Sequence, residues 1–300
     1  MPWGARLGPL AAHRGVEDQL ATGAAPRRAR VGLTDRDRVV LAFVAEHRIV
    51  VRAHIRALLA VGEGAARARL RALANAGFMT RGRSPDGHQE CYAIRPRGLA
   101  ALAATMAPTR LDYRGFEHDV GIAWIWLAAR QGLWGQAREV VSERRMRSHD
   151  RSEGGRDAPF AVRLGGVGPG GAQRMHYPDV LLVRGDGRRV AFELELSGKS
   201  RVRRERILAG YGADPRIDAV VYLVDNPQVG RAIRATARKL GISDLVHVQR
   251  VQRREPAAQA QAGRQRAASR SRSAPAPGAY PHTQRAGSRS RSARPADASR

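Results

Sequence analysis

Cysteine, lysine, aromatic and acidic residues are all scarce in this chain of 300 residues, and each shortage excludes something. A single cysteine, Cys91, rules out an intramolecular disulfide and makes a reducing compartment the default. The longest apolar run, VGIAWIWLAA at 120–129, falls short of the roughly 20 residues a membrane-spanning helix needs. The amino-terminal stretch has Arg and Ala but no continuous apolar core, so no signal peptide is read. A cytoplasmic protein without membrane insertion is expected. Aromatic residues make up 5% of the chain and do not interleave with the basic ones, which ranks an RNA-directed role last.

What is present is arginine. Lys199 and Lys239 are the only lysines among 53 basic residues, and 27 acids leave a formal charge of +26. Charge of that size predicts a polyanionic partner, because each neutralised phosphate releases a counterion. Arg with abundant Ala and Gly is also what a GC-rich genome encodes. A hydrophobic fraction of 43% is enough for a real core. Residues 1–30 show no period and are expected to be disordered. The same holds for 252–300, which carries SRSRS twice and eleven Arg against two acids. That tail reads equally as a solvated segment or as a non-specific grip on a nucleic-acid backbone.

Between the tails the pattern changes once. In 31–107, LTDRDRVVLAFVAEH opens a helix with Thr34 as N-cap and Asp35 and Asp37 in its first turn. VRAHIRALL (51–59) and GEGAARARLRALANAG (62–77) predict two more helices, and FMTRGRSPDGHQECYAI (78–94) a hairpin around Ser-Pro-Asp-Gly. Three helices followed by a hairpin is the order of a winged helix-turn-helix. Arg67, Arg69 and Arg71 would then lie on the recognition helix and Arg81 and Arg83 in the wing, where arginine suits phosphates and guanine edges. The same order also serves protein docking.

In 108–251 the elements read as a helix (GFEHDVGIAWIWLAARQG), a strand at 137–147, a flexible loop at 148–173, strands at 177–183 and 189–196, then helix 201–213, strand 218–225, helix 228–241 and strand 245–251. This predicts an α/β domain, a mixed sheet with helices on both faces.

Within it, HYPDVLLVRGDGRRVAFELELSGK (176–199) holds three carboxylates in an acid-poor chain. Side chains alternate along a strand, so Glu193 and Glu195 share one face, and an RGDG turn brings Asp179 close to them. They form either the polar face of a half-exposed strand or a metal site. Clustered acids on a covered sheet are costly without a cation. Three oxygen ligands suit a hard divalent ion, Mg²⁺ or Mn²⁺, which would polarise a phosphodiester and help deprotonate water.

Pro178-Asp179 followed by an acidic pair on the next strand resembles the PD-(D/E)XK restriction-endonuclease-like superfamily. That motif has Lys where Glu195 stands; Lys199, four residues later, is the candidate catalytic lysine that would swing in to activate water or stabilise charge, and without it the site would be dead. More narrowly, 33–251 resembles the replication-relaxation family of mobile elements, through FEHDVGIA, YPDVLLV, FELELSGKS and VVYLVDN. The resemblance implies catalytic roles for Asp179, Glu193 and Glu195, and matches His118 to the family's helix-opening histidine. The leading expectation is a metal-dependent DNA-nicking endonuclease or relaxase acting at an origin of a plasmid or integrative element, with water or a tyrosine (Tyr177 or Tyr211) as nucleophile. The alternative is a non-catalytic DNA-binding regulator of replication, transfer or transcription on an inactive nuclease fold. Either implies double-stranded DNA as partner, other replication or conjugation proteins or a second copy as further ones, and a nucleoid- or plasmid-associated location.

Overall fold

Thr34 starts the first helix by accepting a hydrogen bond from the Asp37 N–H at 3.2 Å, while Asp37 Oδ2 accepts from Thr34 N at 2.9 Å. This reciprocal capping box fixes α1, Asp35–Glu46, whose buried face carries Val40, Leu41, Phe43 and Val44. The computed structural model describes residues 32–152, 158–168, 171 and 173–251. The terminal segments expected to be disordered, 1–30 and 252–300, lie outside them. A short strand β1, Val50–Val51, leads into α2, Arg52–Leu59, and then α3, Glu63–Asn75, which buries Ala66, Leu70 and Leu73 at helical spacing. The hairpin follows as β2, Met79–Arg83, and β3, Glu90–Ile94. Gly87, at φ +73°, closes its turn with an N–H bond to Ser84 O of 2.8 Å. The three strands pair antiparallel in the order β1-β3-β2, and α4, Pro96–Leu102, completes this half.

The second half begins with α5, Phe116–Arg130, and β4, Ala137–Ser142. Two expectations fail next. The strand expected to run to 147 stops at Ser142 and becomes helix α6, Glu143–Ser152. The supposed loop 148–173 contains the end of that helix and strand β5, Val162–Val167, which pairs with β6, Gln173–His176; residues 153–157, 169, 170 and 172 lie outside the description. Then come β7, Val180–Arg184; β8, Arg189–Glu195; α7, Arg201–Ala213; β9, Ala219–Val224; α8, Pro227–Lys239; and β10, Val246–Arg250.

The main sheet has five strands in the order β10-β9-β8-β7-β4. β10, β9 and β8 run parallel, while β8/β7 and β7/β4 are antiparallel. The expected mixed α/β sheet with helices on both faces is therefore present. One face, with Val180, Leu182, Phe192 and Leu194, packs on α5 in a core that continues into Val40, Phe43 and Leu70 of the first half. The other face, with Leu181, Ala191, Val220 and Tyr222, packs on Ile207, Leu208 and Tyr211 of α7 and Ile233 of α8. All described residues fall in one compact unit.

Candidate functional site

The register places the acidic motif. Val180 pairs with Phe192, so Asp179 sits just before β7 and beside the far half of β8. Its N–H donates to Phe192 O at 3.0 Å, and its carboxylate accepts the Leu194 N–H at 2.8 Å. Asp179 thus extends the hairpin ladder with a side chain. His118, from the first turn of α5, approaches the same carboxylate at 3.4 Å and Asp119 at 3.8 Å. Burial works against charge on this imidazole, but the two carboxylates outweigh it and push its pKa up to about 10.

Glu193 and Glu195 alternate with Phe192 and Leu194 and face α7, as the strand period requires. Glu193 is 2% exposed. Its Oε1 accepts the Tyr211 hydroxyl at 2.5 Å and lies 2.7 Å from His176 Nε2. Burial opposes the carboxylate's charge, yet His176, Lys199 and the Tyr211 hydroxyl together hold its pKa below the ordinary value. Burial likewise opposes charge on His176, and Glu193 overcomes it, raising the imidazole. The two form a buried ion pair. Glu195 is paired with Lys199, four residues on in the loop after β8. Burial and the like charges of Glu193 and Asp179 prevail over Lys199, so the Glu195 carboxyl is raised.

The three carboxylates do gather at one end of the sheet, as the sequence predicts, and Lys199 and His118 join them. Each acid, however, is held by donors of the protein's own: Asp179 by Leu194 N–H and His118, Glu193 by His176 and Tyr211, Glu195 by Lys199. A hard divalent ion needs several oxygens aimed at one point. Among the described residues no group of three or more His, Cys, Asp or Glu is placed to hold a metal ion. To bind the expected Mg²⁺ or Mn²⁺, the three carboxylates would have to exchange these donors for the ion. As built, the arrangement is a satisfied polar network that ties β6, β8, α5 and α7 together, and such networks rigidify the structure around them.

His176 was not anticipated. It ends β6 of the β5–β6 hairpin, between the stretch read as a loop (148–173) and the strand expected at 177–183, where nothing periodic marks it. Tyr211 is fully buried on Glu193, and burial raises its hydroxyl pKa well above the ordinary value, which is no setting for a nucleophile. Tyr177 lies under the Arg147 guanidinium, 4.4 Å from ring centre to charge.

The five arginines expected to contact DNA divide into two sets. Arg69 binds Asp37 at 2.7 Å, Arg71 binds Glu90 at 2.8 Å, and Arg81 reaches Glu90 at 4.0 Å. The Arg83 side chain is exposed and donates to the Gly87 carbonyl at 3.0 Å, with no carboxylate partner among the described residues. Arg67 is exposed and has no ion pair among the described residues. Compared with protein-family models and with curated proteins, the chain gives no match.

Proposed function

We propose that this chain is a DNA-binding protein without nuclease activity, a regulator of the replication, transfer or transcription of a plasmid or integrative element. The observation that carries this reading is the internal pairing of all three motif acids, in a chain whose basic residues outnumber its acids 53 to 27. The α1–α3 helices and the β2–β3 hairpin follow the winged-helix order. In that reading α3 meets the duplex, and Arg67 on α3 and Arg83 on the β2–β3 wing are cations with no carboxylate partner among the described residues. The nuclease-like sheet then acts as a scaffold, its acids spent on holding α5, α7 and the β5–β6 hairpin. A metal-dependent nickase would instead need these carboxylates released from their partners.

The test is binding of duplex DNA from the element's own origin, with Mg²⁺, Mn²⁺ or EDTA, beside conversion of the supercoiled plasmid to open circles. Binding indifferent to EDTA with no open circles is expected. Nicking that requires the metal and disappears in Glu195→Ala would refute the proposal.

A further inference from the structure

A cleft of about 530 Å³ opens between α6 and the segment leading from α4 into α5. Arg48, Arg110, Arg144, Arg147 and Arg151 line it. Two aspartates also line it, but each is engaged elsewhere. Asp112 accepts the Arg114 N–H at 3.1 Å, and Asp119 lies against His118. Glu143 serves Arg48 at 3.1 Å and Arg147 at 2.7 Å. Arg110, Arg144 and Arg151 are left with no carboxylate partner among the described residues.

Arg144 is the most constrained of the three. Its Nε donates to Ala45 O at 2.9 Å and its Nη2 to Ala107 O at 2.7 Å, which holds a half-buried guanidinium at the cleft wall. Burial, reinforced by the Arg48 and Arg151 charges, prevails over the opposing Glu46 and Glu143 carboxylates and pushes its pKa down to about 10. No carboxylate lies within ion-pair distance of it among the described residues, so its desolvation is only partly compensated. An anion in the cleft relieves both that cost and the repulsion among the arginines. Thr109 adds a wall hydroxyl with no hydrogen-bond partner among the described residues.

The lining also says which anion. Guanidinium forks match phosphate oxygens. No Phe, Tyr or Trp lines the cleft; its one ring is the His118 imidazole, engaged with Asp119 and Asp179, and its apolar wall is Met106, Ala107 and Pro108, which makes a poor platform for stacking bases. We propose that this cleft binds the phosphodiester backbone of DNA, reading charge and not sequence. The assignment rests on the DNA-binding reading above and adds to α3 a second, more strongly basic contact surface.

The experiment uses the full chain and fluorescence anisotropy of a labelled duplex across a salt series. Arg110→Gln/Arg151→Gln removes two exposed cations and leaves the Arg144 anchor intact, with matching thermal melts as the folding control. Loss of two phosphate contacts should weaken binding about tenfold or more and flatten the slope of log K against log salt by about 1.8, equally for unrelated sequences. Unchanged affinity and slope in the double variant would overturn the cleft assignment while the protein remained a DNA binder. A wild-type chain that fails to bind duplex at low salt would overturn the DNA-binding reading itself. AMP binding that the double variant loses, with duplex binding unaltered, would make this a mononucleotide site and also overturn the assignment.

Discussion

Glu193→Gln separates a structural carboxylate from one kept for a metal, because the two roles predict stability changes of opposite sign. In a metal site without its ion, Asp179, Glu193 and Glu195 repel one another, and removing one charge stabilises the fold. In the network described above, Glu193 accepts from Tyr211 and balances His176 in a nearly dry environment. Hydrogen bonds to a charged acceptor contribute roughly 1.5–3 kcal/mol each. The amide retains the Tyr211 bond in weaker form but loses the charge facing His176. The imidazole can shed its proton, which keeps the loss below the roughly 3–5 kcal/mol of a broken buried pair. A destabilisation of about 2–3 kcal/mol is expected, or roughly 4–12 °C in Tm for a folded region of this size.

The pH dependence supplies a second check on the same variant. The folded-state pKa of His176 is raised above 6.5, so its contribution is complete below 6.5 and is lost as pH rises through the raised value. The folded-state pKa of Glu193 is lowered below 4.5, so its contribution is present above 4.5 and is lost as pH falls through the lowered value. The stability gap between wild type and Glu193→Gln should therefore be widest between pH 4.5 and 6.5. Thermal or urea melts in EDTA measure it. A variant as stable as wild type at pH 6, or more stable, refutes the reasoning.

Two further predictions concern the core. His54 is fully buried, accepts the Val51 N–H at 3.2 Å, and is pushed by burial down to about 3, against an ordinary 6.5. The unfolded chain therefore takes up a proton below 6.5 that the folded one refuses until about 3, so stability falls with acid across that span, by about 2 kcal/mol at pH 5. His54→Asn should flatten this decline in melts compared at pH 5 and 7.5. At Gly210 a Cβ would meet Arg163 O at 2.8 Å, a backbone atom of β5. Gly210→Ala should destabilise by about 1–3 kcal/mol and move the hairpin off α7, returning the His176 titration seen by NMR toward 6.5.

The elements that the sequence reveals are those with a strong local signal. Thr34 and Asp37 announce the start of α1, Ser-Pro-Asp-Gly the β2–β3 turn, and the helix expected at 201–213 is observed at Arg201–Ala213. Alternation in β8 correctly puts Glu193 and Glu195 on one face, and the RGDG turn brings Asp179 beside them. What escapes has no local signal. Helix α6 buries only Met146 and Asp150, so its arginine-rich sequence shows almost no apolar period. The β5–β6 hairpin carries a register shift between Arg163 and Val167, and Gly165 and Gly166 at positive φ, which breaks the alternation that would mark a strand. His176 is hidden with it. The partners of the acids and arginines come from distant segments: Tyr211 lies 18 residues from Glu193, and Asp37 lies 32 from Arg69. No pattern along the chain encodes such pairings.

In a chain so short of acid, the placement of each carboxylate determines which arginines are left for a polyanion. Glu90 draws Arg71 at 2.8 Å, Arg52 at 3.5 Å and Arg81 at 4.0 Å, and Asp37 draws Arg69 at 2.7 Å. To reach a phosphate, these arginines must first leave a partner. A solvent-facing pair holds at most about 1 kcal/mol, so such release is permitted but subtracts from every contact made. Arg110 and Arg151 leave no carboxylate partner behind among the described residues, and Arg144 is already fixed in place by two backbone carbonyls. A phosphate at the cleft therefore gains contact energy without that subtraction and with less side-chain ordering. Counting arginines along the sequence favours α3; counting those without a carboxylate partner favours the α6 cleft. If the chain binds DNA as proposed, the cleft would carry the larger share of the salt-dependent binding, with Arg67 and Arg83 contributing from α3 and the β2–β3 hairpin.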